Sequence, residues 1–449
     1  MSQTLQAPRL GYRFSAVLPW IIWSSPVLFY FYQFTIRVSP GVLGDYIMAD
    51  LQLTGAAMGA LASWYYIGYT CMQIPVGLLI DRIGVRLPLF MATLLCVGGC
   101  YLFSMDRDVL VIALGGFELM SLTNLEFMSL GRLMMGVGSA LGFLSCVKTA
   151  SLWFSPQKLG LLIGLTLTIG TMGATFGGAP LSLLAEQMGW RATVQGMGLI
   201  GLGLALYAIF VIKDSASSPY HTAEPEVKGA WYKHVFISLS DVFFNKYTWI
   251  FGLYGGMMYV HLSGFADMWG PRYVSQTCCQ DKSISAAAVS MIYFGVAAGA
   301  PLAAILADYW QSYIKVMLLG AAGAFVLFFV HLYAVEIPFG YLYPLYLVIG
   351  LFSGAQFLCF AAVCSGNDHS KTGAASGVHN MMCMASGIIF QPLIGYLLDW
   401  NWDGTLEGQS PLYAKSDYNL AMIVIPASLA IAAISCLFMK ETYKKKEVY

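Results

Sequence analysis

Two arginines stand inside long apolar stretches of the sequence, where a charged side chain needs a partner or a cavity. Arg37 lies in the first stretch, and Arg132 lies in the fourth with Gly136 and Ser139 on its helical face. An ionised side chain at the centre of a membrane helix costs about 2.5–3.5 kcal/mol on insertion scales. No acid partner is evident for either arginine, and guanidinium groups match carboxylates and phosphates bidentately, so the pair favours an anionic substrate. The structural alternatives are snorkelling of Arg37 to the membrane interface and hydrogen bonding of Arg132 to backbone.

Polar and aromatic side chains recur at helical spacing around these arginines. Tyr30 and Gln33 share the face of Arg37, and Tyr65 and Tyr69 begin a second stripe of this kind. Packing alone would also explain the tyrosines, and a lone histidine on an apolar helix is commonly a hydrogen-bonded core residue. With polar groups from the second half added, the predicted substrate-binding residues are Tyr30, Gln33, Arg37, Tyr65, Tyr69, Arg132, His261, Gln356, Asn380 and Gln391.

Membrane helices are the elements that must hold these residues. Hydrophobic residues make up 58% of the 449-residue chain and charged residues 10%, with a mean hydropathy of +0.69, whereas a soluble domain carries about 25% charged residues. One span needs about 20 apolar residues. Twelve spans are predicted, at 16–39, 55–81, 87–105, 127–150, 158–185, 191–213, 246–271, 283–308, 314–335, 340–365, 372–398 and 417–439. The net charge is zero, which indicates no nucleic-acid partner.

Positive charge is distributed unevenly between the two sides of the predicted spans. Fifteen of the 23 Lys and Arg residues fall on the side of both termini, five fall on the other side, and three fall inside spans. Because cytoplasmic loops hold an excess of Lys and Arg, both termini of this multi-pass protein are expected in the cytoplasm.

A sequence pattern repeats between the two halves of the chain. Lys158 and Lys371 each open a span, and glycines follow each of them at the second and sixth positions. Asp81 and Asp308 stand at the ends of the second and eighth spans. The two aspartates are further apart along the chain than the two lysines. This difference predicts an insertion in the first half, between spans two and five.

The repeat and the polar breaks divide the chain into domains. We expect an N-terminal six-helix bundle at 1–213 and a C-terminal six-helix bundle at 246–449, joined by a cytoplasmic linker at 214–245 that holds two prolines and mixed charges. The insertion is expected at 106–126, as an extra segment that does not span the membrane. Parallel repeats of this kind are one plan of transport proteins.

The second span ends in the sequence Gly77-Leu-Leu-Ile-Asp81-Arg82-Ile-Gly84-Val-Arg86. A carboxylate at a helix C-terminus is unfavourable alone, because that end carries partial negative charge, so Asp81 needs a partner. Gly77 lets a neighbouring helix approach closely, and Gly84 permits a tight turn. This pattern, between spans two and three, resembles the signature loop of the major facilitator superfamily.

Other segments extend the resemblance over nearly the whole chain. The run from Arg132 to Gly138 resembles the second motif of that superfamily, and the second copy of the loop keeps Asp308 but loses most basic residues. The resemblance implies two six-helix bundles that open alternately to the two sides of the membrane. It also implies gating by Gly77, Asp81, Arg82, Gly84, Arg86 and Asp308, with the loop bridging to the start of span eleven near Lys371 and Gly373.

The resemblance implies a secondary transporter of a small polar metabolite, such as an amino acid, a short peptide or an organic anion. Parts of the chain look like bacterial nutrient-uptake members, including amino-acid and dipeptide carriers, which suggests the bacterial inner membrane and a monomer. The alternatives are a drug or siderophore efflux antiporter and a membrane sensor that does not transport. No enzyme motif is present, and neither a cofactor nor a metal is expected.

Titratable groups in the second half could couple transport to protons. His261, Asp267 and His379 are the candidates, and histidine changes charge near physiological pH. The first half offers no buried acid apart from Glu126, so facilitated diffusion is an alternative to proton symport. The absence of a nucleotide-binding loop pattern makes direct drive by ATP unexpected.

Overall fold

Twelve long helical segments run through the residues that the structure, a computed structural model, describes: 17–106, 123–214, 240–334, 337–367 and 371–443. Helices α1 to α6 are Leu18–Leu51, Gly55–Ile83, Arg86–Ser104, Asn124–Trp153, Pro156–Met188 and Trp190–Val211. Helix α7 consists of Lys246–Val260, a π-helical segment at His261–Trp269, and Gly270–Cys278. Helices α8 to α12 are Lys282–Trp310, Tyr313–Tyr333, Phe339–Ser365, Thr372–Asn401 and Lys415–Phe438. A two-stranded hairpin, β1 (Leu406–Glu407) and β2 (Ser410–Pro411), connects α11 to α12.

Each predicted span coincides with one of these helices, so the predicted all-α membrane fold is confirmed. Within the described ranges, nine helices are long and apolar enough to cross a membrane by length and composition. Two helices run further than predicted: α1 continues to Leu51 rather than residue 39, and α7 to Cys278 rather than residue 271. Pro40 does not end α1, although a proline removes one helical hydrogen bond.

The helices pack as two bundles of six. In the first bundle α3 packs on α4 and α6, α2 on α4, and α1 on α5; in the second, α8 packs on α10, α7 on α11 and α12, and α9 on α12. Among the described residues, the bundles pack against each other most extensively through α1 with α7, α2 with α11, and α5 with α8. The segment predicted at 106–126 and the linker predicted at 214–245 fall mostly outside the described residues, so both stay predictions.

Equivalent carboxylates cap a helix in each half. Asp214, after α6, accepts hydrogen bonds from two backbone amides at the start of α3, at 2.8 and 3.2 Å. Glu441, after α12, does the same for α9 at 3.2 and 3.4 Å. Burial alone would raise the pKa of Glu441, but hydrogen bonds from Ser312 and these amides hold it below its usual value. The two capping residues have the same separation along the chain as Asp81 and Asp308, and they therefore extend the repeat to the ends of α6 and α12.

The bundles present two faces at opposite ends of the helices. We define the distal face by the connections α1–α2, α7–α8 and α11–α12, at residues 51–55, 278–282 and 401–415. We define the terminal face by the connections α2–α3 and α8–α9, at residues 83–86 and 310–313, together with the end of α12.

The bundles touch at the distal face and diverge toward the terminal face. A Cβ atom at Gly41 of α1 would lie 2.4 Å from a backbone oxygen of α7, and one at Gly59 of α2 would lie 2.4 Å from a backbone oxygen of α11. Near the terminal face, a Cβ atom at Gly160 of α5 or Gly373 of α11 would meet nothing within 4 Å. In this conformation backbone contacts therefore close the distal face, whereas Gly160 and Gly373 have open space beside them at the terminal face.

Candidate functional site

A buried ion pair joins the two bundles midway along their helices. Nε of Arg37 in α1 lies 3.5 Å from Oδ2 of Asp267 in the π-helical segment of α7, and the two side chains are 4% and 1% exposed. The hydroxyls of Tyr66 in α2 and Tyr293 in α8 donate hydrogen bonds to the same carboxylate. We call these four residues the central junction. Removing one partner of a buried pair leaves an uncompensated charge and costs about 3–5 kcal/mol, so each charge of the junction depends on a partner in the other bundle.

The central junction corrects one expectation from the sequence. Arg37 has an acid partner, Asp267, which lies in the other half of the chain. Arg37 does not snorkel to the membrane interface, because its guanidinium group is buried over the ring of Phe34 at 3.8 Å. An anionic ligand of Arg37 would therefore compete with Asp267 or bind beside it.

The π-helical segment of α7 sets the position of Asp267. All nine residues of the segment are buried, and such segments are rare and frequent at functional sites. Gln391 of α11 donates from Nε2 to the carbonyl oxygen of Ser263 at 2.8 Å, and Trp269 donates from Nε1 to the carbonyl oxygen of Gln391 at 3.0 Å. In this conformation Gln391, a predicted substrate-binding residue, supports the segment that carries Asp267.

The guanidinium group of Arg132 binds the backbone of α1. Pro40 has no amide to bond the carbonyl oxygen of Ile36. Nη1 of Arg132 lies 2.8 Å from that oxygen, and the hydroxyl of Ser39 lies 2.9 Å from it. A second donor, Nη2 of Arg132, lies 3.3 Å from the carbonyl oxygen of Arg37. Arg132 thus hydrogen-bonds to backbone, which is the alternative to substrate binding. These bonds explain why α1 continues past Pro40.

Gln33, Tyr65 and Tyr69, three other predicted residues of the first bundle, form a polar and aromatic wall beside the central junction. The hydroxyl of Tyr65 donates to Oε1 of Gln33 at 2.8 Å, while Nε2 of Gln33 is buried without a hydrogen-bond partner among the described residues. Tyr69 stacks on Tyr65 with ring centroids 6.1 Å apart. Tyr30 packs against Gly142 of α4 and against α5, so its ring belongs to the bundle core.

The two predicted histidines lie within the second bundle. Nε2 of His261 lies 2.6 Å from the hydroxyl oxygen of Ser353 in α10. The ring of His379 packs edge-on against Phe360 at 4.5 Å, and its Nε2 lies 3.5 Å from Sγ of Cys383. Both histidine side chains are fully buried. Neither contacts the central junction through a described hydrogen bond, so Asp267 is the predicted titratable residue that directly joins the bundles.

Two predicted amides of the second bundle complete the site. Nδ2 of Asn380 in α11 donates to Oε1 of Gln73 in α2 at 2.6 Å, on the terminal side of the central junction. Gln356 donates from Nε2 to the carbonyl oxygen of Gly255 at 3.5 Å, and its Oε1 is buried without a described partner. Asn380 therefore makes a direct contact between the bundles, whereas Gln356 lies within the second one.

The predicted gating residues lie at the terminal face. Arg82 is exposed, and Arg86 donates from Nε to the carbonyl oxygen of Ile209 at 2.7 Å. Gly77 faces α4, where a Cβ atom would lie 3.7 Å from Leu144. The side chain of Asp81 falls outside the described part of the chain, so its predicted role stays a prediction.

The remaining gating contacts agree with an open terminal face. Asp308 accepts a hydrogen bond from the hydroxyl of Tyr443 at 2.8 Å. Nζ of Lys371 lies 2.8 Å from Asp241, at the start of the second bundle, and Gly373 has open space beside it. Within the described ranges, no cluster of His, Cys, Asp or Glu side chains could hold a metal ion.

Sequence reasoning missed two hydroxyls of the central junction. Tyr66 follows Tyr65 directly and lies off the four-residue stripe that includes Tyr65 and Tyr69, since adjacent helical residues point about 100° apart. Tyr293 is one of four aromatic residues in α8, and nothing in its spacing sets it apart. Only the intramembrane acid Asp267 signalled that a group of hydroxyl or guanidinium donors must surround it.

The chain belongs to the Major Facilitator Superfamily, whose family model matches residues 27–392. It is a multi-pass membrane protein with the fold of that superfamily, twelve transmembrane helices in two bundles. A hexuronate transporter of Bacillus subtilis is 23% identical over 403 residues, which cover 83% of this chain and 86% of the relative. The membrane sensor protein UhpC of Salmonella typhimurium is 25% identical over 410 residues, which cover 85% of each chain. A solved structure of a mutant nucleoside transporter NupG superimposes with a TM-score of 0.71 at 15% identity, over 93% of this chain and 99% of that one.

Proposed function

We propose that this protein of a transporter superfamily carries a small organic anion by alternating access. Midway along the helices the buried charges are the guanidinium groups of Arg37 and Arg132 and the carboxylate of Asp267, so the described side chains there have a formal net charge of +1. A substrate with one negative charge would neutralise this excess, and a guanidinium group suits a carboxylate. This net charge carries the proposal. The positive charge would suit an organic acid most directly. An amino acid or a short peptide could bind there through the carboxylate of the substrate.

The two faces of the bundles support alternating access. Backbone contact at the distal face and open space at the terminal face are what one end state of such a cycle requires. The uneven distribution of Lys and Arg supports a cytoplasmic terminal face. On this proposal the protein is a monomeric carrier of a bacterial inner membrane, and its conformation corresponds to the inward-open state.

The central junction also suggests how protons could take part. Protonation of Asp267 would remove the charge that holds Arg37 and would leave the guanidinium group available to a substrate carboxylate. The substrate and the proton would then bind in one step of the cycle, and the bundles would separate more easily at the junction. His261 and His379 are weaker candidates for this role, because their described contacts lie within the second bundle.

A non-transporting sensor is the second candidate function. The observation that favours it is the similarity to a relative named as a membrane sensor protein, which spans 85% of both chains. The relative named as a hexuronate transporter, of similar coverage, favours transport of an organic anion. Sequence similarity at this level does not separate the two functions.

Uptake into proteoliposomes separates them. The purified protein would be offered labelled hexuronate, a dicarboxylate, glutamate, a dipeptide and a nucleoside, with and without a pH gradient that is acidic outside the liposomes. We expect saturable accumulation of an organic anion, at least tenfold above empty liposomes and stimulated by the gradient. Binding of an organic anion without accumulation would favour the sensor, and preference for the nucleoside over every anion would contradict the proposed substrate class.

A further inference from the structure

A carboxylate of the second bundle caps a helix of the first bundle across the distal face. Asp399, near the end of α11, accepts hydrogen bonds from the backbone amides of Gly55 at 2.8 Å and Ala56 at 2.7 Å, the first two residues of α2. The hydroxyl oxygen of Tyr413 lies 3.0 Å from the amide of Gly55, and the hydroxyl donates to Asp399 at 2.6 Å. The first two amides of α2 are thus bonded by the opposite bundle.

The contact of Asp399 with the N-terminus of α2 is favourable, and it exists only while the bundles touch. The N-terminus of a helix carries partial positive charge and free amides, so a carboxylate there is stabilising. Thr54, the residue before α2, caps only the amide of Ala57, at 3.4 Å. When the distal face opens, the amides of Gly55 and Ala56 therefore exchange their hydrogen bonds to a carboxylate for hydrogen bonds to water.

Close packing of α2 and α11 brings the carboxylate within reach. A Cβ atom at Gly395 would lie 2.1 Å from the carbonyl oxygen of Gly55, and a Cβ atom at Gly55 would lie 3.0 Å from Oδ1 of Asp399. Any side chain at either position would push the helices apart. Glycine at these two positions is thus what the capping geometry requires.

The position of Asp399 mirrors that of Asp81. Helices α2 and α11 run in opposite directions, and each carries an aspartate two residues before its last residue, Ile83 and Asn401 respectively. Each helix therefore ends with a carboxylate at the face where the other helix begins. The resemblance of the loop at Asp81 assigns that carboxylate to closure of the terminal face.

We propose that Asp399 is the latch of the distal gate, and that it must leave the N-terminus of α2 before the distal face opens. The proposal rests on alternating access as the mode of action. An ion pair at the same face, between Arg272 of α7 and Asp45 of α1 at 2.9 Å, supports closure through different helices. The test must therefore isolate the effect of Asp399.

The repeat supplies a matched control. Glu186 of α5 and Asp399 have the same separation along the chain as Lys158 and Lys371, and Glu186 is exposed at the distal face. Glu186→Gln removes a carboxylate at the equivalent position without touching α2. Asp399→Asn removes the charge of the latch while it keeps the size of the side chain.

Electron paramagnetic resonance distances between spin labels at Ala192→Cys and Glu407→Cys would report the opening of the distal face. Both positions are exposed, one in each bundle. The background lacks the four native cysteines that are not buried, Cys71, Cys278, Cys279 and Cys364. The measurement is made without substrate, so its result does not depend on whether the protein transports an anion.

We expect Asp399→Asn to raise the ratio of distal-open to distal-closed molecules at least tenfold, and Glu186→Gln to change it less than twofold. Tyr413→Phe keeps the carboxylate and should shift the ratio in the same direction by a smaller factor. If Asp399→Asn fails to fold, Tyr413→Phe decides the question alone. Unchanged distances in both latch variants, or an equal shift with Glu186→Gln, would overturn the proposal.

Discussion

At the scale of single residues, the central junction connects the two bundles through one ion pair, and on the proposed function this pair would link binding to gating. Arg37 and Asp267 come from opposite bundles, so any ligand or proton that separates them also loosens the contact between the bundles. A charge that stayed buried in one bundle could not have this effect. The polar wall of Gln33 and Tyr65 lies beside the pair and would contact a ligand that reached Arg37.

Asp267→Asn tests this link. The substitution leaves Arg37 without its charge partner, so we expect a loss of about 3–5 kcal/mol of stability, uptake at least tenfold lower, and no response to a pH gradient. The double variant Arg37→Gln with Asp267→Asn should recover most of the stability but not the uptake. Thermal unfolding in detergent and proteoliposome uptake measure the two effects.

Asp417→Asn is the matched control for loss of a buried acid. Asp417 lies at the start of α12 and bonds Asn401 and the amide of Ala414, all within the second bundle. It should lower stability without changing the pH response. If Asp267→Asn behaved like Asp417→Asn, the central junction would have no role in coupling.

Arg132→Met and Pro40→Ala should compensate each other. Alanine at position 40 restores an amide that can bond the carbonyl oxygen of Ile36, so Arg132 is no longer needed there. We expect the double variant to lose less stability, by about 1 kcal/mol or more, than the sum of the losses of the two single variants, as for residues in contact. Unfolding of the single and double variants measures it. Arg191→Met, at a partly buried arginine of α6 that pairs with Asp50, should be additive with Pro40→Ala.

The sequence predicts which residues are unusual in the membrane but not which of them pair. Arg37, Arg132 and Asp267 stand out because charge is costly in an apolar helix. The pairing of Arg37 with Asp267 depends on how the two halves pack, and no spacing within one helix carries that information. Arg132 shows the same limit, since the signal for its role is a proline on another helix.

At the scale of elements, the turn between α2 and α3 depends on one backbone conformation. Gly84 has φ +90° and ψ −171°, a region that is essentially restricted to glycine. A Cβ atom there would lie 2.6 Å from the carboxylate carbon of Asp214. The predicted tight turn at Gly84 therefore has a physical cause in the end of α6.

Gly84→Ala and Gly189→Ala separate backbone strain from this clash. Gly189 has φ +83° and ψ 154°, a similar conformation, with nothing within 4 Å of a Cβ atom. Strain in this region costs about 1–3 kcal/mol, so both variants should be destabilised, and Gly84→Ala by the larger amount in thermal unfolding. Equal destabilisation would show that Asp214 does not constrain the turn.

Helix positions are predictable from the sequence because a span in lipid must satisfy its backbone hydrogen bonds internally, which requires a long apolar helix. Irregularities inside helices are not, because they arise from neighbours. The π-helical segment at 261–269 depends on a contact outside its own sequence, because Gln391 of another helix holds it. The extension of α1 past Pro40 likewise depends on Arg132.

At the scale of the whole molecule, two glycines at opposite faces should bias the bundles in opposite directions. A Cβ atom at Gly59 clashes with the backbone of α11 in this conformation, whereas one at Gly373 has free space. We expect Gly59→Ala to favour opening of the distal face, and Gly373→Ala to favour the terminal-open state shown here. Labelling of cysteines introduced at each face, with a membrane-impermeant reagent, measures both biases.

A shift in the same direction for both glycine variants would contradict a rocking motion in which one face closes as the other opens. On the proposed cycle each face would close in turn, so a side chain at either glycine would hinder closure of its own face. The sequence repeat predicts two bundles, but only the packing shows which face is closed.

The most direct test of the account is a pair of distances measured in one sample. Spin labels across the distal face and across the terminal face would be recorded before and after addition of the organic anion that the proteoliposome assay identifies. We expect reciprocal changes, with the terminal distance shortening as the distal distance lengthens. Two distances that stayed fixed, or that changed together, would contradict alternating access.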